Sequence, residues 1–183
     1  MIRETTLDRS IPFVRMDVTF ADDPLCRSSL ALYVAGCPRR CRGCHNEELQ
    51  SPDAGTLTEV DFIVQSMKEV ASADFIKAAV FSGGDWMLYP EAYVEIAGAC
   101  RKFGLSTVLY TGELYEDLSQ RVRDASDWVI DGPFEEGREG IFPPSTNQHV
   151  FMNGNLVDDV KDLPIYRHAS EQHLAGIVGG SEE

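Results

Sequence analysis

The chain has 183 residues, 43% of them hydrophobic, which is long enough to bury one substantial core. Its 16 Lys and Arg against 30 Asp and Glu give a net charge of −14. A field of that sign repels phosphates, so nucleic acid and anionic membrane surfaces are unfavoured partners, and a protein or small molecule fits better.

The predicted elements alternate between strands and helices along the chain. Apolar, strand-forming runs predict five strands, and apolar positions at helical spacing predict three helices. Because parallel neighbours need crossover connections of about a dozen residues, this order predicts an α/β fold with a mostly parallel sheet covered by helices. In chain order these elements are strand 28–35, helix 60–71, strand 78–81, helix 90–103, strand 106–110, helix 114–122, strand 128–130 and strand 149–152.

Unusual residues follow the carboxyl ends of the first four predicted strands. In parallel sheets ligand sites lie beyond those ends, so we expect one site along this edge. The residues are a cysteine-rich loop, then Gly83-Gly84-Asp85, then Thr111 and finally Asp131.

The cysteine loop holds three of the five cysteines, Cys37, Cys41 and Cys44, in a CxxxCxxC pattern. Residues 1–10 are polar and mixed in charge and therefore predict no secretion signal, and no run of about 18 apolar residues predicts a membrane span. We therefore expect a cytoplasmic protein in which these thiols bind a metal rather than form disulfides.

The spacing favours a four-iron four-sulfur (4Fe-4S) cluster with one iron that has no protein ligand and is open to a substrate. The alternatives are three unligated thiols and a structural zinc site with His45, Cys26 or Cys100 as the fourth ligand. Cys26 and Cys100 are interpreted as structural. The loop also carries Arg39, Arg40 and Arg42, whose charges either raise the cluster potential, dock an acidic partner or are simply solvated.

These residues resemble the radical S-adenosylmethionine (radical SAM) superfamily. The cysteine loop ends a first strand and a Gly-Gly-acid turn ends a second, as in that superfamily. The ordered combination is similar to the activating proteins of anaerobic ribonucleoside-triphosphate reductases. It consists of Gly43 to Asn46, Phe81 to Asp85, Tyr110 to Gly112, Asp131 to Glu135 and Ser145 to Gln148.

The resemblance implies a partial (β/α) barrel and an enzyme that cleaves SAM reductively at the cluster. The resulting 5′-deoxyadenosyl radical would take a hydrogen from a glycine of the reductase large subunit, with an electron donor such as flavodoxin. It also implies cluster ligands Cys37, Cys41 and Cys44 and cofactor-binding residues Gly43, His45, Gly83, Gly84, Asp85, Thr111 and Asp131.

Other functions stay open on the sequence. They are activation of a pyruvate formate-lyase type enzyme, small-molecule radical SAM chemistry such as deazaguanine synthesis, and a zinc-binding or electron-transfer protein. The radical SAM domain is expected at residues 1–157, and residues 158–183 are expected to be a partly disordered C-terminal extension.

Overall fold

The computed structural model describes residues 9–20 and 22–168. Within them, eight strands form one sheet, accompanied by α-helices and short 3-10 turns. The strands are β1 (Ser10–Thr19), β2 (Ser29–Val34), β3 (Thr56–Glu59), β4 (Ala78–Gly83), β5 (Ser106–Tyr110), β6 (Trp128–Asp131), β7 (His149–Met152) and β8 (Asn155–Leu156). The helices are α1 (Val60–Ala71), α2 (Pro90–Lys102) and α3 (Gln120–Ala125), and residues 164–168 add a helical turn.

The sheet has the strand order β3-β1-β2-β4-β5-β6-β7-β8. Its four central strands, β2, β4, β5 and β6, are parallel, as the alternation of strands and helices predicts. The outer pairs are antiparallel, so the prediction of a mostly parallel sheet holds for the centre and is wrong at both sides. The physical reason is that, in the described part of the chain, the β1–β2, β6–β7 and β7–β8 connections contain no crossover helix.

Both faces of the sheet are covered. Leu30 and Leu32 of β2 belong to the core beneath α1, α2 and α3, whereas Ala31 belongs to a second core on the opposite face. This second core is closed by Phe142 and Ile165, which come from irregular segments. Successive side chains along the central strands therefore pack alternately into the two cores.

The third helix is shorter than predicted. It begins after Ser119, whose hydroxyl accepts from the Val122 N–H at 3.4 Å. Leu114 precedes a separate 3-10 turn, Tyr115–Asp117, so the predicted start of the helix at residue 114 is wrong.

The segment after residue 157 packs back on the sheet as far as it is described. Ile165 is buried, and its N–H donates to the Pro24 carbonyl at 3.2 Å. The predicted disorder of the C-terminal extension falls mainly on 169–183, outside the described residues. Over 9–20 and 22–168, no helix is long and apolar enough to cross a membrane.

Candidate metal and cofactor site

A cavity of about 360 Å³ lies at the carboxyl ends of the central strands. Most of the predicted site residues line it. They are Cys37, Cys41, Cys44, His45, Gly83, Gly84, Asp85 and Thr111. Its remaining wall combines aromatic and apolar residues with polar ones. The first group includes Tyr33, Tyr110, Phe134, Phe142 and Ile165, and the second includes Asp22, Arg39, Asn46, Ser82 and Gln148.

The cysteine loop is fixed where it leaves and rejoins the fold. The Gly36 N–H donates to the Leu49 carbonyl at 2.8 Å, and the Cys37 N–H donates to the Gln50 carbonyl at 2.9 Å. Between these points Gly43 has φ +69°, a conformation in which glycine avoids the strain of a side chain. Gly43 shapes the turn between the second and third cysteines without lining the cavity.

The three loop thiols share this cavity, whereas Cys26 and Cys100 lie outside it. Burial raises the pKa of the Cys37 thiol, and the backbone N–H groups of Arg39 and Arg40 partly oppose this. Burial raises the pKa of Cys100 in α2 to about 12, which suits an inert core residue.

The Gly83-Gly84 turn brings two backbone segments into unusually close contact. The Gly84 N–H donates to the Val34 carbonyl at 2.6 Å, and the Asp85 N–H donates to the Gly36 carbonyl at 2.7 Å. A Cβ on Gly84 would lie 2.3 Å from the Gly36 oxygen. The turn therefore needs glycine to seat the start of the cysteine loop on the end of β4.

Asp85 is buried, and its hydrogen-bond partners come from the turn that follows it and from the end of β5. Its Oδ1 accepts from the Met87 N–H at 3.0 Å and the Thr111 hydroxyl at 2.9 Å, and its Oδ2 accepts from the Gly112 N–H at 3.3 Å. Burial raises the pKa of this carboxyl, while these donors and Arg39 lower it. Asp85 thus joins the end of β4 to the end of β5.

Asp131 does not line the cavity, contrary to its predicted place facing the adenosine or methionine. Asp131 lies two residues after Val129 on β6, so the two side chains point to the same face of the sheet. Val129 packs in the helix-covered core, and Asp131 therefore lies on the face away from the cavity. Its carboxylate accepts from the Tyr115 N–H at 2.7 Å and the His149 N–H at 3.0 Å. Asp131 fixes the strand ends beside the cavity.

Several wall residues were not predicted from the sequence. Phe142 and Ile165 reach the cavity from irregular segments in which periodicity gives no signal. Tyr33 was detectable in principle, because it lies on β2 and alternates with the helix-facing Leu32.

The donor set fits an iron-sulfur cluster. Among the described residues, no three His, Cys, Asp or Glu side chains form a group suited to a single metal ion. The three loop thiols instead lie along the wall of one cavity, and a cluster takes its cysteine ligands on separate iron atoms. The Gly83-Gly84 turn lines the same cavity as these thiols.

Comparison with known proteins agrees with this geometry. A family model described as a 4Fe-4S single cluster domain matches residues 26–151. The anaerobic ribonucleoside-triphosphate reductase-activating protein of Enterobacteria phage T4 is 30% identical over 145 residues, which cover 73% of this chain and 88% of that protein. The chain belongs to this activating-protein family.

The family-model match supports the predicted 4Fe-4S cluster and favours it over the zinc alternative. All three loop cysteines lie within residues 26–151, which the 4Fe-4S domain model matches. Ile165 lies beyond the stretch matched by the family model, yet it contributes to the cavity wall.

Proposed function

We propose that the chain is a radical SAM activase that generates a glycyl radical on an anaerobic ribonucleoside-triphosphate reductase. One observation carries the proposal: the three loop cysteines and the Gly83-Gly84-Asp85 turn line a single cavity in a relative of a reductase-activating protein. On this proposal the parallel strands form a radical SAM type partial barrel in a cytoplasmic enzyme.

Cys37, Cys41 and Cys44 are the proposed cluster ligands, which leaves one iron for the amino and carboxylate groups of SAM. The backbone of Gly83 and Gly84 faces the methionine moiety, and His45 lines the cofactor from the cysteine loop. Thr111 and Asp85 orient each other through their hydrogen bond of 2.9 Å. Asp131 does not contact the cofactor and acts indirectly, by holding the strand ends beside the cavity in place.

When bound and reduced, a cluster held by Cys37, Cys41 and Cys44 would supply the electron for cleavage of SAM, and the resulting 5′-deoxyadenosyl radical would take a hydrogen atom from the target glycine. The chain's part is to exclude water and hold the reactants close. The part of the wall formed by Tyr110, Phe134, Phe142 and Ile165 suits that task, because aromatic and apolar side chains exclude water. The reductase glycine would enter from the open side of this cavity.

Anaerobic reconstitution followed by reduction in the presence of SAM tests the proposal. About four iron and four sulfide per chain are expected, with formation of 5′-deoxyadenosine. Cys41→Ala should lose the cluster, whereas Cys26→Ala, which alters a cysteine outside the cavity, should keep it. One zinc without sulfide would refute the cluster, and a cluster that leaves SAM intact would indicate an electron-transfer protein.

A further inference from the structure

Arg39 joins the cysteine loop to two strand ends. Its Nε lies 3.7 Å from Asp85 Oδ2, and its Nη2 lies 2.7 Å from Glu113 Oε1. Asp85 follows β4 and Glu113 follows β5, so a single side chain spans both. The side chains of Arg39 and Glu113 are 28% and 39% exposed, so solvent partly screens this pair, whereas the Asp85 side chain is only 4% exposed.

The stem of Arg39 lies directly on the backbone of Gly112. A Cβ at position 112 would lie 2.2 Å from Arg39 Cδ and 2.4 Å from its Nε. Gly112 does not have a left-handed φ, so its backbone would accept alanine. The space occupied by Arg39 is therefore the reason that a side chain does not fit here.

Arg42 of the same loop makes its ion pair elsewhere. Arg42 is 88% exposed and pairs with Glu136 at 2.7 Å, and Arg40 is exposed. The His45 ring contacts Phe134, with 5.0 Å between ring centroids. Among the described contacts of the loop side chains, the ion pairs of Arg39 alone reach the ends of β4 and β5.

We propose that Arg39 is a positioning residue that holds the middle of the cysteine loop against the Gly83-Gly84-Asp85 turn and so sets the cluster relative to SAM. This inference rests on the proposed function. The backbone hydrogen bonds at Gly36 and Cys37 fix the base of the loop, while Cys41 lies beyond them. The charge-assisted contacts of Arg39 restrain the part of the loop that lies between this base and Cys41.

The test compares three variants of the reconstituted protein: Arg39→Gln, Gly112→Ala and Arg42→Gln. SAM is titrated while the electron paramagnetic resonance spectrum of the reduced cluster is recorded. Arg39→Gln should keep its iron and sulfide but bind SAM about tenfold more weakly, with an altered SAM-induced spectral change. Gly112→Ala should do the same by displacing the Arg39 stem, and Arg42→Gln should match the wild type.

Two further variants separate positioning from general charge. Arg39→Lys should restore part of the affinity, because it keeps one cationic donor without the planar fork. The double variant Arg39→Gln/Gly112→Ala should bind SAM no more weakly than either single variant, because both changes disrupt the same contact of Arg39.

Wild-type affinity and spectrum in Arg39→Gln or Gly112→Ala would overturn the inference, as would equal losses in Arg39→Gln and Arg42→Gln. Loss of iron from Arg39→Gln would also overturn it, since all three thiols remain. Failure of the wild type itself to bind SAM would instead refute the proposed function.

Discussion

Replacing Gly84 by alanine should damage the site out of proportion to the size of the change. The new Cβ would lie 2.3 Å from the Gly36 oxygen and 2.9 Å from its nitrogen. Every atom in this contact belongs to backbone, so rotation of a side chain cannot relieve it. The strain must move the end of β4 away from the start of the cysteine loop.

The size of the displacement follows from the contact. An ordinary van der Waals separation begins at 3.4 Å, so the two segments must part by 3.4 − 2.3, or about 1.1 Å. The hydrogen bond from the Asp85 N–H to the Gly36 carbonyl, 2.7 Å long, would weaken at once. A misplacement of about 1 Å costs on the order of 100-fold in rate, and this shift is passed directly to Cys37.

The assay is the rate of 5′-deoxyadenosine formation by reconstituted protein, together with the free energy of unfolding. Gly84→Ala should lower the rate on the order of 100-fold and the stability by about 1–3 kcal/mol. Gly98→Ala is the matched control, because a Cβ there meets no atom within 4 Å and the residue lies inside α2. It should keep full activity and gain up to about 1 kcal/mol. A Gly84→Ala protein with the wild-type rate would refute this reasoning.

Three other changes test the surrounding structure. Ile165→Ala should lower the free energy of unfolding in urea by about 2–5 kcal/mol by opening a void under the cavity wall, and a loss below about 1 kcal/mol would mean that the segment does not pack there. Arg27→Ala leaves the fully buried carboxylate of Asp23 without its ion-pair partner. The free energy of unfolding in urea should fall by about 3 kcal/mol or more, and an unchanged unfolding midpoint would contradict this. Iodoacetamide at pH 8 should alkylate Cys41 of the native apoprotein but not Cys100, because burial raises the pKa of the Cys100 thiol to about 12 and keeps it protonated. Mass spectrometry of tryptic peptides measures the alkylation of each cysteine.

The parallel centre of the fold was predictable because its signals are local. The strand Ser106–Tyr110 and the helix that begins at Pro90 match their predicted positions, since buried runs and a proline at the first helical turn leave clear patterns. β1 was missed because an outer strand that is half exposed carries residues such as Arg15 and Asp17 among its apolar ones.

The site was predictable to the extent that it depends on loops at strand ends. The cysteines and the Gly83-Gly84-Asp85 turn come together because parallel strands deliver them to one edge. Asp131 was misplaced because position at a strand end does not determine which face of the sheet a side chain occupies. The contact of Arg39 with Gly112 depends on tertiary packing, and local sequence carries no signal for it.

The most direct test of the central claim is to reduce the reconstituted protein with SAM and an anaerobic ribonucleoside-triphosphate reductase made with α-deuterated glycine. The proposed function predicts a glycyl-radical signal on the reductase in the paramagnetic resonance spectrum and deuterium in the 5′-deoxyadenosine. Formation of 5′-deoxyadenosine without deuterium and without a radical on the reductase would contradict it, and would indicate a different glycyl-radical enzyme or a small-molecule substrate.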